Sequence, residues 1–219
     1  MVIEKGVKIV PKLLDLFCGA GGASVGYARA GFEITGLDIK HGKRYPYKYL
    51  KMSIQDVTID FLNQFDVVHA SPPCQTFSIT RNLRNAQGKS TNKIDWLPQT
   101  KDLLNDWGGI YIIENVPGAP LFNPVMLCGS SFGLKVRGHR LFESNQTIEG
   151  SICNHKSQGR PIGVYGSMRD DIPNGGKTAN SIEEANEAMG IDWMIWSELV
   201  EAIPPTYTEH LGKQLIERL

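Results

Sequence analysis

The stretch KLLDLFCGAGGASVGYARAGFEITGLDIK, residues 12–40, constrains the fold more than any other. An apolar run from Leu13 to Phe17 meets a turn holding Gly19, Gly21 and Gly22. A helical pattern follows from about Ala23 to Ala30, and a second apolar run covers Glu33 to Asp38. Strand, tight glycine turn, helix and strand make a βαβ unit, which needs two parallel strands with a crossover helix between them. A parallel sheet must be covered on both faces, so the rest of the chain has to supply more strands and more helices.

It does. FDVVHA (65–70) and GIYIIENV (109–116) read as further buried strands, and NKIDWLPQTKDLLNDW (92–107) as the helix between them. PVMLCG (124–129) and HRLFES (139–144) read as short strands. The expected fold is α/β, a Rossmann-like sheet with helices on both faces. Residues 145–181 break the alternation with Gly, Ser, Asn and Pro, and read as a small loop-rich insertion. SIEEANEAM resumes helix, with Ser181 and Glu184 spaced as a capping box. WSELVEAI and YTEHLGKQLIERL read as closing helices around Pro204 and Pro205. The organisation expected is a main α/β domain over 1–144, a small loop-rich region over 145–188, and returning helices over 189–219.

Length and composition are those of one globular domain: 219 residues, 41% hydrophobic and 21% charged. No apolar run approaches the roughly 18 residues that span a membrane, and the first residues lack a signal-peptide pattern. A cytoplasmic monomer is expected. Cys18, Cys74, Cys128 and Cys153 form no C-x-x-C pair, which argues against a disulfide framework or a zinc ribbon. Cys153 and His155 resemble half a metal site, but no second pair has matching spacing, so no metal is expected.

The formal net charge is zero, yet the charges are uneven. Residues 40–51 hold Lys40, Lys43, Arg44, Lys48 and Lys51 without an acid. Residues 79–101 hold Arg81, Arg84, Lys89, Lys93 and Lys101 against Asp95 alone. Residues 182–209 hold seven acids and no Lys or Arg. Such a distribution suits either one basic face or ordinary solvated charge.

The glycine turn is not a P-loop: GKST (88–91) has Leu83 where a Walker motif needs glycine. GAGGAS (19–24) falls short of G-x-G-x-x-G, which weighs against a dinucleotide. Asp38 ends the second strand, where an acid binds ribose hydroxyls in such folds, so an adenosine-type ligand is reasonable. Simple chain reversal is the other reading of the turn.

Several segments together resemble the DNA cytosine-5 methyltransferase family, in family order. DLFCGAGG (15–22), QDV (55–57), SPPCQTFS (71–78), ENVPG (114–118) and RGHRLFES (137–144) carry the likeness, which spans roughly residues 13 to 144 with a weaker echo at 198–212. The family's cofactor is S-adenosylmethionine. The resemblance implies that Phe17, Gly19, Ala20, Gly21, Gly22, Asp38, Ile39, Asp56, Val57 and Pro73 hold it. It implies Cys74 as the nucleophile that adds to cytosine C6, Glu114 as the carboxyl holding N3 and N4, and Arg140 as a contact to the flipped nucleotide. A thiolate suits the attack because it is strongly nucleophilic near neutral pH. The target base must leave the duplex to be reached. Ser71, Gln75, Ser78, Arg81, Arg84 and Lys89 are the expected nucleic-acid contacts, with Arg160, Arg169, Lys156 and Asn174 as candidate base readers. The expected partner is double-stranded DNA, read over about two to four base pairs because the insertion is small.

Three departures from the family pattern stand out. The recognition region is short. The first arginine of the Gln-x-Arg-x-Arg motif is replaced by Gly138, with Arg137 one step off. The closing Gly-Asn-x-Val-Pro-Pro segment is EAIPPTY here, so Glu201 stands where the cofactor-binding asparagine would be, or that residue is absent. The compact build resembles phage and mobile-element members. Cytosine-5 methylation of RNA, and a non-catalytic module that binds nucleic acid, remain alternatives.

Overall fold

A computed structural model describes residues 10–40, 42–73, 94–166 and 177–219. The elements are β1 (Lys12–Leu16), α1 (Gly22–Ala30), β2 (Glu33–Asp38), β3 (Lys48–Lys51), α2 (Ile59–Leu62), β4 (Val67–Ala70), α3 (Leu97–Trp107), β5 (Ile110–Asn115), β6 (Val125–Leu127), β7 (Arg140–Ser144), α4 (His155–Gln158), β8 (Ile162–Gly163), β9 (Lys177–Thr178), α5 (Ile182–Met189), α6 (Trp196–Leu199) and α7 (Pro205–Ile216). Strands β1 to β7 form a seven-stranded sheet in the order β3-β2-β1-β4-β5-β7-β6. Strands β1 to β5 run parallel, while β7 is antiparallel to both β5 and β6. The Rossmann-like α/β fold expected from the sequence is present.

Successive strand residues point to opposite faces, and the core divides accordingly. Leu13, Ile34, Val67 and Ile112 meet Tyr27 of α1 and Tyr207, Leu211 and Leu215 of α7 on one face. Leu14, Leu37, Val68 and Ile113 meet Leu97 and Leu104 of α3 on the other. Fully burying each large apolar side chain contributes about 1.5–3 kcal/mol, so both layers are needed to hold the sheet. A third cluster joins Val136, Ile162 and Ala179 to Ala185, Ala188, Met189 and Leu199.

The C-terminal helix is bound tightly to the helix that follows the glycine turn. A Cβ at Gly26 would lie 2.0 Å from Thr208 Oγ1 and 2.1 Å from the Pro205 carbonyl oxygen, so only glycine allows this approach. Thr208 Oγ1 donates to the Ala23 carbonyl at 2.7 Å across the same contact. The echo of the family pattern at the chain's end thus sits against the glycine-turn helix.

The charge asymmetry is partly internal. Arg44 lies 3.1 Å from Glu198 and Lys40 3.8 Å from Glu201, so cations of the first basic run face acids of the acidic run. Lys101 is held 2.9 Å from buried Glu143. Exposed pairs such as Lys40–Glu201 contribute little stability, but they remove these side chains from a simple picture of one basic face. Among the described residues, no helix is long and apolar enough to cross a membrane.

Candidate active site

The carboxyl ends of β1, β2, β3, β4 and β5 lie side by side, fixed by register: Leu16 opposes Leu37 and Ala70, Ala70 opposes Ile113, and Asp38 opposes Lys51. In parallel α/β sheets ligands bind at this edge. Every described residue expected to act at the cofactor ends or follows one of these strands.

Phe17 and Gly19 follow β1 with φ of 61° and 51°, and Gly21 precedes α1 at 88°. Left-handed backbone at three of five positions turns the chain sharply at the strand end; at Phe17 it is costly for a residue with a side chain. The Gly19 amide donates to Asp38 Oδ2 at 3.1 Å, and the Lys40 amide to Oδ1 at 3.0 Å. Asp38 therefore locks the turn to β2 through one oxygen and its own following loop through the other, and each oxygen keeps a further lone pair for a ligand hydroxyl. A Cβ at Gly19 would meet nothing within 4 Å, so the turn is open on that side. Ile39 beside it is 63% exposed, an apolar surface at the strand end. Trp193 Nε1 donates to the Ala20 carbonyl at 2.9 Å, a contact from the far end of the chain that no motif signalled. Asp56 ends a 3₁₀ turn over Ile54–Asp56 and is exposed, while Val57 is buried with Leu16 and Leu37.

Glu114 is the penultimate residue of β5 and is 6% exposed. It opposes Phe142, which makes Arg140 its diagonal neighbour on β7. Arg140 Nε lies 3.0 Å from Glu114 Oε1. Burial pushes the Glu114 carboxyl above the usual range, against the pull of the Arg140 guanidinium and a hydrogen bond from Ser71. Its proton is therefore held to higher pH than that of a solvated glutamate.

A buried chain of hydrogen bonds runs back from this carboxyl. Ser71 Oγ lies 2.8 Å from His69 Nε2, and His69 Nδ1 lies 3.0 Å from the Tyr27 hydroxyl. Burial lowers His69 to about 3 and raises Tyr27 well above its ordinary value. Both are neutral at physiological pH. With Glu114 ionised, Ser71 donates to Glu114, His69 donates to Ser71 from Nε2, and Tyr27 donates to Nδ1. The hydroxyl of Ser71, a residue expected to contact nucleic acid, is bonded to His69 and Glu114. His69 and Tyr27 were not foreseen; the one sequence sign was a histidine inside the otherwise apolar strand FDVVHA.

Asn115 ties the next loop down. Its Nδ2 donates to the Pro72 carbonyl at 3.1 Å and its Oδ1 accepts from the Val116 amide at 2.9 Å. Asn115→Ala should leave the buried Pro72 carbonyl unpaired and cost about 1–3 kcal/mol in a urea unfolding series. Pro73 is exposed and leads into Cys74. Cys74, Gln75, Ser78, Arg81, Arg84, Lys89, Lys93, Arg169 and Asn174 lie outside the described residues. Arg160 and Lys156 are exposed in the loop-rich region. Arg137 Nε reaches Gln158 Oε1 at 3.4 Å, away from Glu114, and the Tyr207 hydroxyl donates to the Arg137 and Gly138 carbonyls.

Residues 11–119 match the family model for C-5 cytosine-specific DNA methylase. The chain belongs to the C5 cytosine methyltransferase family. The Type II methyltransferase M.FnuDI of Fusobacterium nucleatum is 36% identical over 115 residues, covering 49% of this chain and 33% of that protein. The chain thus matches about a third of that relative's length. M.HgiGI of Herpetosiphon aurantiacus is 27% identical over 121 residues, covering 50% of this chain and 94% of that protein. The crystal structure of a Spodoptera frugiperda DNMT2 mutant superposes with a TM-score of 0.63 at 14% identity, covering 94% of this chain and 99% of that one. That is a likeness of fold. At 94% of this chain, the likeness of fold extends beyond residues 11–119 matched by the family model.

Proposed function

We propose that this methyltransferase transfers a methyl group from S-adenosylmethionine to carbon 5 of cytosine in double-stranded DNA, with Cys74 as nucleophile. The observation that carries the reading is the shared sheet edge: the Asp38-braced glycine turn and the Glu114–Arg140 pair flank the Pro72–Pro73 segment, which precedes Cys74 in sequence.

The turn fits the cofactor. Gly19 leaves it open, Asp38 has lone pairs for ribose hydroxyls, and Ile39 offers an apolar surface for a base. Bound there, S-adenosylmethionine would supply an electrophilic methyl group. The rest falls to the protein. The Cys74 thiolate adds to C6 of the extruded cytosine, which makes C5 nucleophilic. Glu114, protonated, donates to N3 as negative charge builds there, and its other oxygen accepts from N4. Arg140 stabilises charge beside the base. After transfer, a base takes the C5 proton, the freed electron pair re-forms the C5–C6 double bond, and the C6–sulfur bond breaks to return the thiolate. Basic residues after Cys74 (Arg81, Arg84 and Lys89) would supply salt-sensitive phosphate contacts, and residues 145–188 the base reading.

The test is trapping on duplex DNA containing 5-fluorocytosine, where the fluorine blocks the final elimination. Wild type with S-adenosylmethionine should give a covalent adduct resistant to denaturant, and Cys74→Ser none. Equal behaviour of the two proteins would overturn the proposal. Transfer of labelled methyl to tRNA and not to duplex DNA would move the substrate to RNA.

A further inference from the structure

Four side chains of metal-ligand type converge outside the site described above. Cys128 follows β6, His139 precedes β7, and Cys153 and His155 open the loop-rich region. Their ligand atoms all lie within 4.8 Å of one another. Cys128 Sγ is 3.2 Å from His155 Nε2, and Cys153 Sγ is 3.4 Å from His139 Nε2. The two imidazole rings meet edge to face, 5.1 Å apart and inclined at 63°.

We infer that Cys128, His139, Cys153 and His155 form a structural zinc site. Zinc bonds of about 2.3 Å to sulfur and about 2.0–2.1 Å to nitrogen set a sulfur–nitrogen edge of about 3.5 Å in a tetrahedron. Both sulfur–nitrogen separations here are close to that edge. Two thiolates and two imidazoles suit zinc and exclude the oxygen-seeking calcium and magnesium. Four protein ligands leave no open position, which is the arrangement of a structural centre. Neighbouring groups hold the ligands in place. Cys128 Sγ lies 3.0 Å from Ser130 Oγ, and the same hydroxyl accepts from the Asn154 amide at 2.9 Å. The Cys128 amide in turn donates to Ser151 Oγ at 3.2 Å.

No spacing rule finds this site. Ten residues separate Cys128 from His139 and thirteen separate His139 from Cys153; only Cys153 and His155 are near neighbours in sequence. The missing second pair comes from the β6–β7 hairpin, brought in by the antiparallel return of the chain. Its consequence is mechanical. The metal clips the start of the 145–188 region to the strand that carries Arg140, and Arg140 Nη1 already donates to the His139 carbonyl at 3.2 Å.

The test uses the full chain purified under reducing conditions. Elemental mass spectrometry should find about one zinc per chain. Replacement by cobalt should give the visible d–d bands of a tetrahedral ion together with sulfur-to-cobalt charge transfer. The double variant Cys153→Ser with His155→Ala keeps the buried Cys128, and should weaken zinc binding at least about a hundredfold. Folded wild type, checked by circular dichroism, that holds less than about a tenth of an equivalent of zinc and gives no cobalt spectrum would overturn the inference. So would zinc retained equally by the double variant, or a Cys128–Cys153 disulfide in freshly purified protein. The wild-type cobalt spectrum decides the matter even if the variant fails to fold, and none of these readouts depends on methyl transfer.

Discussion

Glu114→Gln should lower the methyl-transfer rate about a thousandfold while leaving DNA binding within a few-fold of wild type. The contrast follows from the hydrogen-bond inventory. A glutamine amide can still donate to N3 and accept from N4, so the flipped cytosine is held much as a protonated glutamate holds it. It cannot give up a proton as charge develops on the ring. The substitution therefore removes an interaction made in the transition state and spares the ground state. Single-turnover transfer and equilibrium binding, measured on one duplex, read the two terms separately. A rate within about tenfold of wild type would remove Glu114 from the acid role.

The pH profile tests the same carboxyl. Activity that needs the protonated form should fall as pH rises through the raised Glu114 value. Arg140, 3.0 Å away, and Ser71 both pull that value down against burial. Arg140→Ala removes the larger of these pulls, so the alkaline limb should move to higher pH even as the maximum rate drops.

The sheet edge was legible because its signals are local. The apolar runs, the glycine turn and Asp38 lie within 29 residues, residues 12–40, and β1, α1 and β2 fall within a residue of their expected limits. Strand β3 was missed because KYLK sits in a run of cations that reads as solvated surface. The capping box at Ser181 is half present. Ser181 Oγ accepts from the Glu184 amide at 3.2 Å, but the Glu184 carboxylate turns to the Asn180 amide and Lys177. The helix expected over 196–203 stops at Leu199, and the last helix starts at Pro205. Pro204 biases the preceding residue to extended backbone, and Pro205 suits a first helical position. Of the candidate site, Glu114 and Arg140 were singled out by motif, and they lie 3.0 Å apart. Tyr27, His69 and the Cys–His cluster depend on contacts across 14 to 42 positions, for which one sequence offers no periodicity.

Two buried groups near the site should oppose each other in the pH dependence of stability, and single substitutions should separate them. Asp15 is fully buried, accepts from Ser24, and has an Oδ1 without a hydrogen-bond partner among the described residues. Burial, with smaller contributions from Asp38 and Glu114, raises it from 3.8 to about 7. Its folded form prefers the proton, so its contribution is full below about pH 4 and is lost as pH rises through about 7. The span is worth about 4 kcal/mol. His69, between Tyr27 and Ser71, is lowered by burial from 6.5 to about 3. Its folded form rejects the proton, so its contribution is present above pH 6.5 and is lost as pH falls through about 3, a span worth about 5 kcal/mol. Between about pH 4 and 6.5 the two slopes nearly cancel, with Glu114 adding to the falling side. Asp15→Asn should expose the rising slope, giving a protein several kcal/mol more stable at pH 6.5 than at pH 4 beyond any such gain in wild type. His69→Gln should expose the falling slope over the same interval. Urea unfolding at half-unit steps of pH measures both. If the two variants change with pH in the same direction as each other, Asp15 and His69 do not carry the buried charge balance beneath the sheet edge.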